Sequence, residues 1–236
     1  MRGKENVEKG ENTMNKKLFL EAITKFFAGV ILVTVLLFLP AGTLRYFGGW
    51  LLMGILFVPM FCAGLVMLKK DPNLLKSRLQ AKEKQKEQDL VVKLSGLMFL
   101  AGFVVAGLDF RFGWLPLPGW VNWVAAGLFL IAYLLYAEVL RENAYLSRTI
   151  EVQENQKVVD TGLYGIVRHP MYSATLLLFL SMPLVLGSVF SFLCFLCYPT
   201  IIIKRLKNEE IFLEAELPGY KEYKEKVKYR LIPGIW

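Results

Sequence analysis

The residues able to do chemistry gather in two short segments. One holds Thr161, Gly162, Leu163 and Tyr164, then Arg168, His169, Pro170, Met171 and Tyr172. The other holds Arg205 with Glu209 and Glu210 one turn later. Pro170 suits the first position of a helix. The free backbone N–H groups of that turn, beside Arg168 and His169, offer a seat for an anionic group. The two glutamates can face a cation or amino groups. If the segments meet, one small cleft presents both signs of charge next to lipid, which suits a zwitterionic cofactor and a greasy substrate. Each feature also has a plainer reading. Arg168-His169-Pro170 can be an interfacial anchor and helix start. Arg205 and Glu209 stand at i, i+4, the spacing of an ordinary surface ion pair worth about 0.3–0.5 kcal/mol. Tyr172, Tyr220 and Tyr223 can be interfacial aromatics.

Composition narrows the chemistry. The chain of 236 residues is 55% hydrophobic and 20% charged, with the charges clustered between long apolar runs. That excludes a disordered protein and an ordinary soluble globule. The net charge of +8 belongs with a membrane surface rather than nucleic acid. The single histidine, His169, leaves too few ligands for a zinc protease or a membrane di-iron oxygenase, so no metal is expected. Cys62, Cys194 and Cys197 lie in apolar runs and form no disulfide framework. The CxxC spacing of the last two sits in an apolar helix rather than a redox loop. No glycine-rich nucleotide loop occurs.

The elements that must position the two segments are membrane helices. Charge-free runs over Phe26–Leu44, Tyr46–Leu68, Leu94–Leu108 and Phe112–Ala137 predict four crossings. The third is short, but Leu90, Val91 and Val92 precede Lys93, whose stem can reach the headgroups. The first lacks the small-residue cleavage signature of a signal peptide. The apolar run over 170–203 would overshoot a bilayer as one helix, and its middle carries Pro183 and Gly187-Ser188. It therefore reads as a helical hairpin, with arms near Met171–Met182 and Val189–Ile203.

Lysine and arginine support that reading. Dense basic clusters precede the first crossing, follow the second, follow the fourth and fill the tail, whereas the opposite side holds only Arg45 and Arg111. With a hairpin every dense cluster falls on one face, which the positive-inside rule makes cytoplasmic, along with both termini and the candidate site. The predicted fold is all-α and polytopic, with about six apolar helices. Residues 1–15 read as a flexible leader and 16–150 as helices one to four with a cytosolic connector over 69–90. Residues 151–236 hold the hairpin and a cytosolic tail. Within the connector, Asp71-Pro72 predicts a short capped helix at the interface. In the tail, Lys204–Leu217 has helical periodicity, Pro218-Gly219 ends it, and Tyr220, Tyr223 and Val227 predict another amphipathic turn.

The order of motifs, Gly162-Leu163-Tyr164, Arg168-His169-Pro170 with Tyr172, an apolar hairpin, Arg205 with Glu209-Glu210, Tyr220 with Tyr223, and Arg230-Leu231-Ile232-Pro233, resembles the isoprenylcysteine carboxyl methyltransferases and the related membrane phospholipid methyltransferases. It covers about Gln153 to the C-terminus. The resemblance implies an integral membrane methyltransferase that uses S-adenosyl-L-methionine, with a cofactor pocket in the C-terminal region and a lipophilic or prenylated acceptor reaching it from membrane lipid. Carried over by motif, Gln153, Val158, Val159, Tyr164, His169, Pro170, Met171, Tyr172, Glu209 and Glu210 would bind the cofactor. Arg205 and Glu209 would be catalytic, with Arg205 holding an acceptor carboxylate. Ala174 stands where the family usually has glycine, and Leu217-Pro218-Gly219 replaces its common Phe-Gly. The resemblance favours methyl transfer to the carboxylate of an isoprenylcysteine-like molecule. Transfer to a phospholipid amine headgroup and an NADPH-dependent sterol-type reductase are the alternatives.

Overall fold

The computed structural model describes residues 2–79, 86–146 and 152–236. Residues 80–85 of the expected connector and residues 147–151, where the expected membrane and tail regions join, lie outside this set. Helix α1 (Arg2–Ala41) is followed by α2 (Phe47–Lys70), α3 (Pro72–Leu79), α4 (Lys86–Phe112) and α5 (Gly119–Glu142). A 3-10 turn (Gly162–Gly165) leads to α6 (Pro170–Val185), α7 (Val189–Phe195), α8 (Tyr198–Glu216) and α9 (Tyr220–Lys226). Among the described residues, five stretches are long and apolar enough to cross a membrane: Lys16–Ala41, Phe47–Lys70, Asp89–Phe112, Gly119–Glu142 and Val189–Glu216. The shorter α6 brings the apolar set to the six expected.

Helix α1 takes in residues 2–15 of the expected leader. One segment differs from the sequence reading. The second hairpin arm does not stop near Ile203; it is broken at Leu196-Cys197 and then continues as α8 to Glu216. Pro199 explains the break, because it lacks an N–H and its ring crowds the carbonyl four residues back. The tail helix expected from Lys204 is thus the continuation of the hairpin arm. As expected, Asp71 caps α3, its Oδ1 accepting from the Leu74 N–H at 3.0 Å.

Residues Leu37, Leu52, Ala106, Phe129, Val185 and Phe195 anchor one continuous core between the helices. Small residues set the approach: a Cβ on Gly107 of α4 would stand 2.5 Å from the Leu37 carbonyl oxygen of α1. Leu20, Ile31, Leu39, Val58, Leu97 and Leu134 point outward and are exposed. An apolar exterior around an apolar core is the arrangement expected of helices in lipid.

The hairpin turn is pinned to the other end of the bundle. Tyr46 Oη donates to the Leu186 carbonyl at 2.7 Å, and Asn122 Nδ2 donates to the Val185 carbonyl at 2.8 Å. Ser188 Oγ donates to Asp109 at 2.6 Å. Gly187 takes φ +74°, a left-handed value that glycine adopts without strain. Tyr46 begins α2, Asp109 ends α4 and Asn122 opens α5. The turn therefore reaches the level of both loops on that side, and the two arms together run the depth of the bundle. Both ends of the hairpin return to the opposite side.

Candidate active site

At that returning side the chain enters α6 through the 3-10 turn. Gly162 has φ +49°, and a Cβ there would sit 1.5 Å from Glu142 Oε1. Glu142 in turn accepts from the Leu163 N–H at 3.0 Å. This fixes the turn against the end of α5 and buries Tyr164. Asn143 Nδ2 donates to Tyr164 Oη at 2.9 Å, and Tyr223 Oη donates to the Tyr164 carbonyl at 2.7 Å. Burial pushes the Tyr164 phenol up to about 12, partly offset by the Asn143 hydrogen bond, so it is neutral at physiological pH.

Beyond the turn, Arg168 and His169 run extended beside the C-terminal strand of chain. Their N–H groups donate to the Tyr229 and Arg230 carbonyls at 2.9 and 3.0 Å. Pro170 then takes the first turn of α6, as the sequence predicts. From the exit side, α8 presents Arg205, Glu209 and Leu213 along one face and Leu206 and Glu210 on the adjoining one. The two segments meet: His169 Nε2 stands 3.3 Å from Glu210 Oε1. A carboxylate only accepts, so Nε2 carries the hydrogen.

Glu210 is the hub of a buried ion cluster. Arg168 Nε donates to its Oε1 at 2.7 Å and Arg230 Nε to its Oε2 at 2.9 Å. Arg168 Nη1 also donates to the Val227 and Lys228 carbonyls at 2.7 and 2.9 Å. The Arg168 and Glu210 side chains are 5% and 4% exposed. The expected anion seat at Arg168 is therefore occupied by the protein's own carboxylate. The cluster ties the entrance of α6, the middle of α8 and the C-terminal strap (residues 227–236) into one unit.

The neighbouring face of α8 carries a different chain of bonds. Arg205 Nε donates to Tyr172 Oη at 3.0 Å, and Tyr172 Oη donates to Glu209 Oε2. Tyr172 thus bridges the two residues that i, i+4 spacing would pair on a helix surface. The His169 and Tyr172 rings stack with centroids 5.8 Å apart. Tyr172, Tyr220 and Tyr223 are all buried rather than interfacial. Tyr220 and Tyr223, both on α9, form a small core with Leu217 and Val227, packed by Val152, Val158 and Leu213.

Between these layers lies a cavity of about 840 Å³, its open mouth included. Of the residues expected at a cofactor, Val158, Val159, Tyr164, His169, Met171, Tyr172 and Glu209 line it, as does Arg205. Gln153, Pro170 and Glu210 do not. Gln153 instead supports the wall, its Nε2 donating to the Tyr145 carbonyl at 2.8 Å and its N–H to Gln156 Oε1 at 2.8 Å. Pro170 is buried at the helix start, and Glu210 is held by its cations. Ala174 is buried but is not a lining residue, so it leaves the wall as it is. The lining also includes Asn143, Tyr145, Gln156, Lys157, Leu213 and Tyr220, which the sequence reading did not assign to a site. The periodicity of α8 is a signal for Leu213, one turn beyond Glu209.

Residues 120–217 match the model of the phospholipid methyltransferase family. The match takes in α5, upstream of the motifs quoted from the sequence, and the whole hairpin. No curated protein matches the chain. The matched region carries the Arg205–Tyr172–Glu209 chain, the His169–Glu210 contact and most of the cavity wall, so the part of the chain that holds the candidate site is similar to the phospholipid methyltransferases.

Proposed function

We propose that the cavity binds S-adenosyl-L-methionine and that the protein transfers a methyl group to the carboxylate of a lipophilic, isoprenylcysteine-like acceptor. The lining residues fit that cofactor. Val158, Val159 and Leu213 with the tyrosine rings suit a flat purine, and the half-buried Glu209 carboxylate with nearby aromatic faces suits a cationic centre. When bound, the cofactor supplies a methyl group that is already activated as a sulfonium.

The chain's own residues then have three tasks. Arg205 holds the acceptor carboxylate, and its guanidinium is aimed by the Tyr172 hydroxyl. Tyr172, fixed between Arg205 and Glu209, keeps that geometry rigid enough for in-line attack. The covering layer of Tyr164, Tyr220 and Tyr223 keeps water out. A carboxylate is ionised near pH 7 and needs no base. The observation that carries this reading is the Arg205–Tyr172–Glu209 chain in the wall of a cavity bounded by membrane helices.

Transfer to a phospholipid amine is the second reading. Glu209 favours it, since an amine must lose a proton and a half-buried carboxylate in the wall can take it. The matched family's description points the same way. The reductase alternative gains no support from the match. The basic ends of α1, α2 and α3, on the site's side of the bundle, support a cytoplasmic placement of site and termini.

The two acceptors are separated by incubating the full-length protein in liposomes with methyl-labelled cofactor, a prenylated cysteine and phosphatidylethanolamine. A methyl ester releases labelled methanol in base, whereas an N-methyl group does not. The expected product is the base-labile ester. Label found only in base-stable lipid would replace the first reading by the second.

A further inference from the structure

We infer that the Tyr220 hydroxyl is a hydrogen-bond contact to the nucleoside half of the bound cofactor, an inference that rests on the cofactor reading above. Tyr220 opens α9 just after Gly219, is 4% exposed and lines the cavity. Its ring is held by Tyr223, with centroids 5.7 Å apart, and by the small core around Leu217 and Val227. Its oxygen is buried and, among the described residues, has no hydrogen-bond partner. The other tyrosines of the site differ. Tyr172 donates to Glu209, Tyr223 donates to the Tyr164 carbonyl, and Tyr164 accepts from Asn143.

A buried hydroxyl without a partner is a standing cost to the fold, and buried polar groups are as a rule paired. At a cavity wall the missing partner is supplied by whatever fills the cavity. The charges around the oxygen define that partner. Burial first, then the Glu210 and Glu209 carboxylates, hold the phenol above its ordinary range, with Arg168 opposing and Tyr223 adding to the rise. The group is therefore a neutral donor. A ligand carboxylate placed there would face two carboxylates already present, one of them half-buried. A neutral acceptor, a ribose oxygen or a purine nitrogen, meets no such repulsion. The contact that motif resemblance gives to Glu210 thus falls to Tyr220, because both Glu210 oxygens are taken by Arg168, His169 and Arg230.

The test is Tyr220→Phe in the full-length, detergent-solubilised protein, which keeps the ring and removes only the hydroxyl. Melting is measured without ligand, and binding with S-adenosylhomocysteine and with 5′-methylthioadenosine, which lacks the amino-acid half. The ligand-free variant is expected to melt at or above the wild-type temperature. Its affinity for both molecules is expected to fall by the same factor, about tenfold, as for one lost hydrogen bond. Lower ligand-free stability would mean the hydroxyl bonds within the protein, and unchanged affinity would mean it does not touch the ligand. A loss confined to S-adenosylhomocysteine would put the contact on the amino-acid half. Each of these overturns the inference. Failure of the wild-type protein to bind either molecule would instead overturn the cofactor reading itself, and it shows without any variant.

Discussion

Arg205→Ala should lower turnover by about 10²-fold or more while leaving cofactor affinity within a few-fold of wild type. The expectation follows from where the guanidinium is held. Arg205 is half-buried in the cavity wall, and its Nε donates to Tyr172 Oη at 3.0 Å. That bond holds the guanidinium fork in one orientation, so an acceptor carboxylate meets a pre-oriented planar cation rather than a flexible one. Removing the side chain leaves His169, Met171, Tyr164 and the apolar wall in place, so the cofactor retains its surroundings. Arg205→Lys should restore only part of the rate, because an ammonium lacks the fork. Initial rates with labelled cofactor and calorimetry on the same preparations separate the two effects. Wild-type turnover by Arg205→Ala would remove Arg205 from the acceptor site.

Glu210→Ala is expected to cost about 3–5 kcal/mol of stability, the usual consequence of removing one member of a buried ion cluster. The carboxylate faces Arg168, His169 and Arg230, and Arg168 is almost wholly buried. Without Glu210 the Arg168 guanidinium keeps, among the described residues, the Val227 and Lys228 carbonyls. The strap that carries Arg230 loses its tie to α8 at the same time. Thermal melting in detergent should fall by roughly 10 °C for a chain of this length. A melting temperature equal to wild type would show that the cluster does not hold the strap. Glu209, its sequence neighbour, should behave differently. It is half-buried in the cavity wall, and its substitution should fall on activity more than on folding.

The contrast between Glu209 and Glu210 shows how far the sequence could be read. Their type and position one turn after Arg205 placed acidic groups at the exit of the hairpin. Adjacent residues on a helix point about 100° apart, so only one can face a given cavity. Which one depends on Arg168 and Arg230, partners brought in from 42 positions upstream and 20 downstream. No local pattern encodes that choice. The same holds for Arg168, which reads as an anion seat beside His169 until Glu210 is seen to fill it.

The hairpin itself was legible, because run length, Pro183, Gly187-Ser188 and the one-sided basic clusters are independent signals with one answer. The break before Tyr198 was also written in the sequence, as Pro199, and it accounts for one helix continuing into what reads as a separate tail. The burial of Tyr172, Tyr220 and Tyr223 was not legible. Aromatic residues near a membrane boundary look interfacial until distant segments are seen to pack on them, as Val152, Val158 and Leu213 do on the Tyr220–Tyr223 core. Gln153 was placed in the right region but supports the wall through Tyr145 and Gln156 instead of lining the cavity.

The central claim is that the imidazole at the hairpin entrance and the Glu209 carboxylate beyond its exit bound one cofactor cavity. Calorimetric titration of the solubilised full-length protein with S-adenosylhomocysteine, and separately with NADPH, tests it most directly. Saturable one-site binding of S-adenosylhomocysteine, weakened by Glu209→Ala, with no heat from NADPH, is the expected result. Saturable NADPH binding with no response to S-adenosylhomocysteine would contradict it.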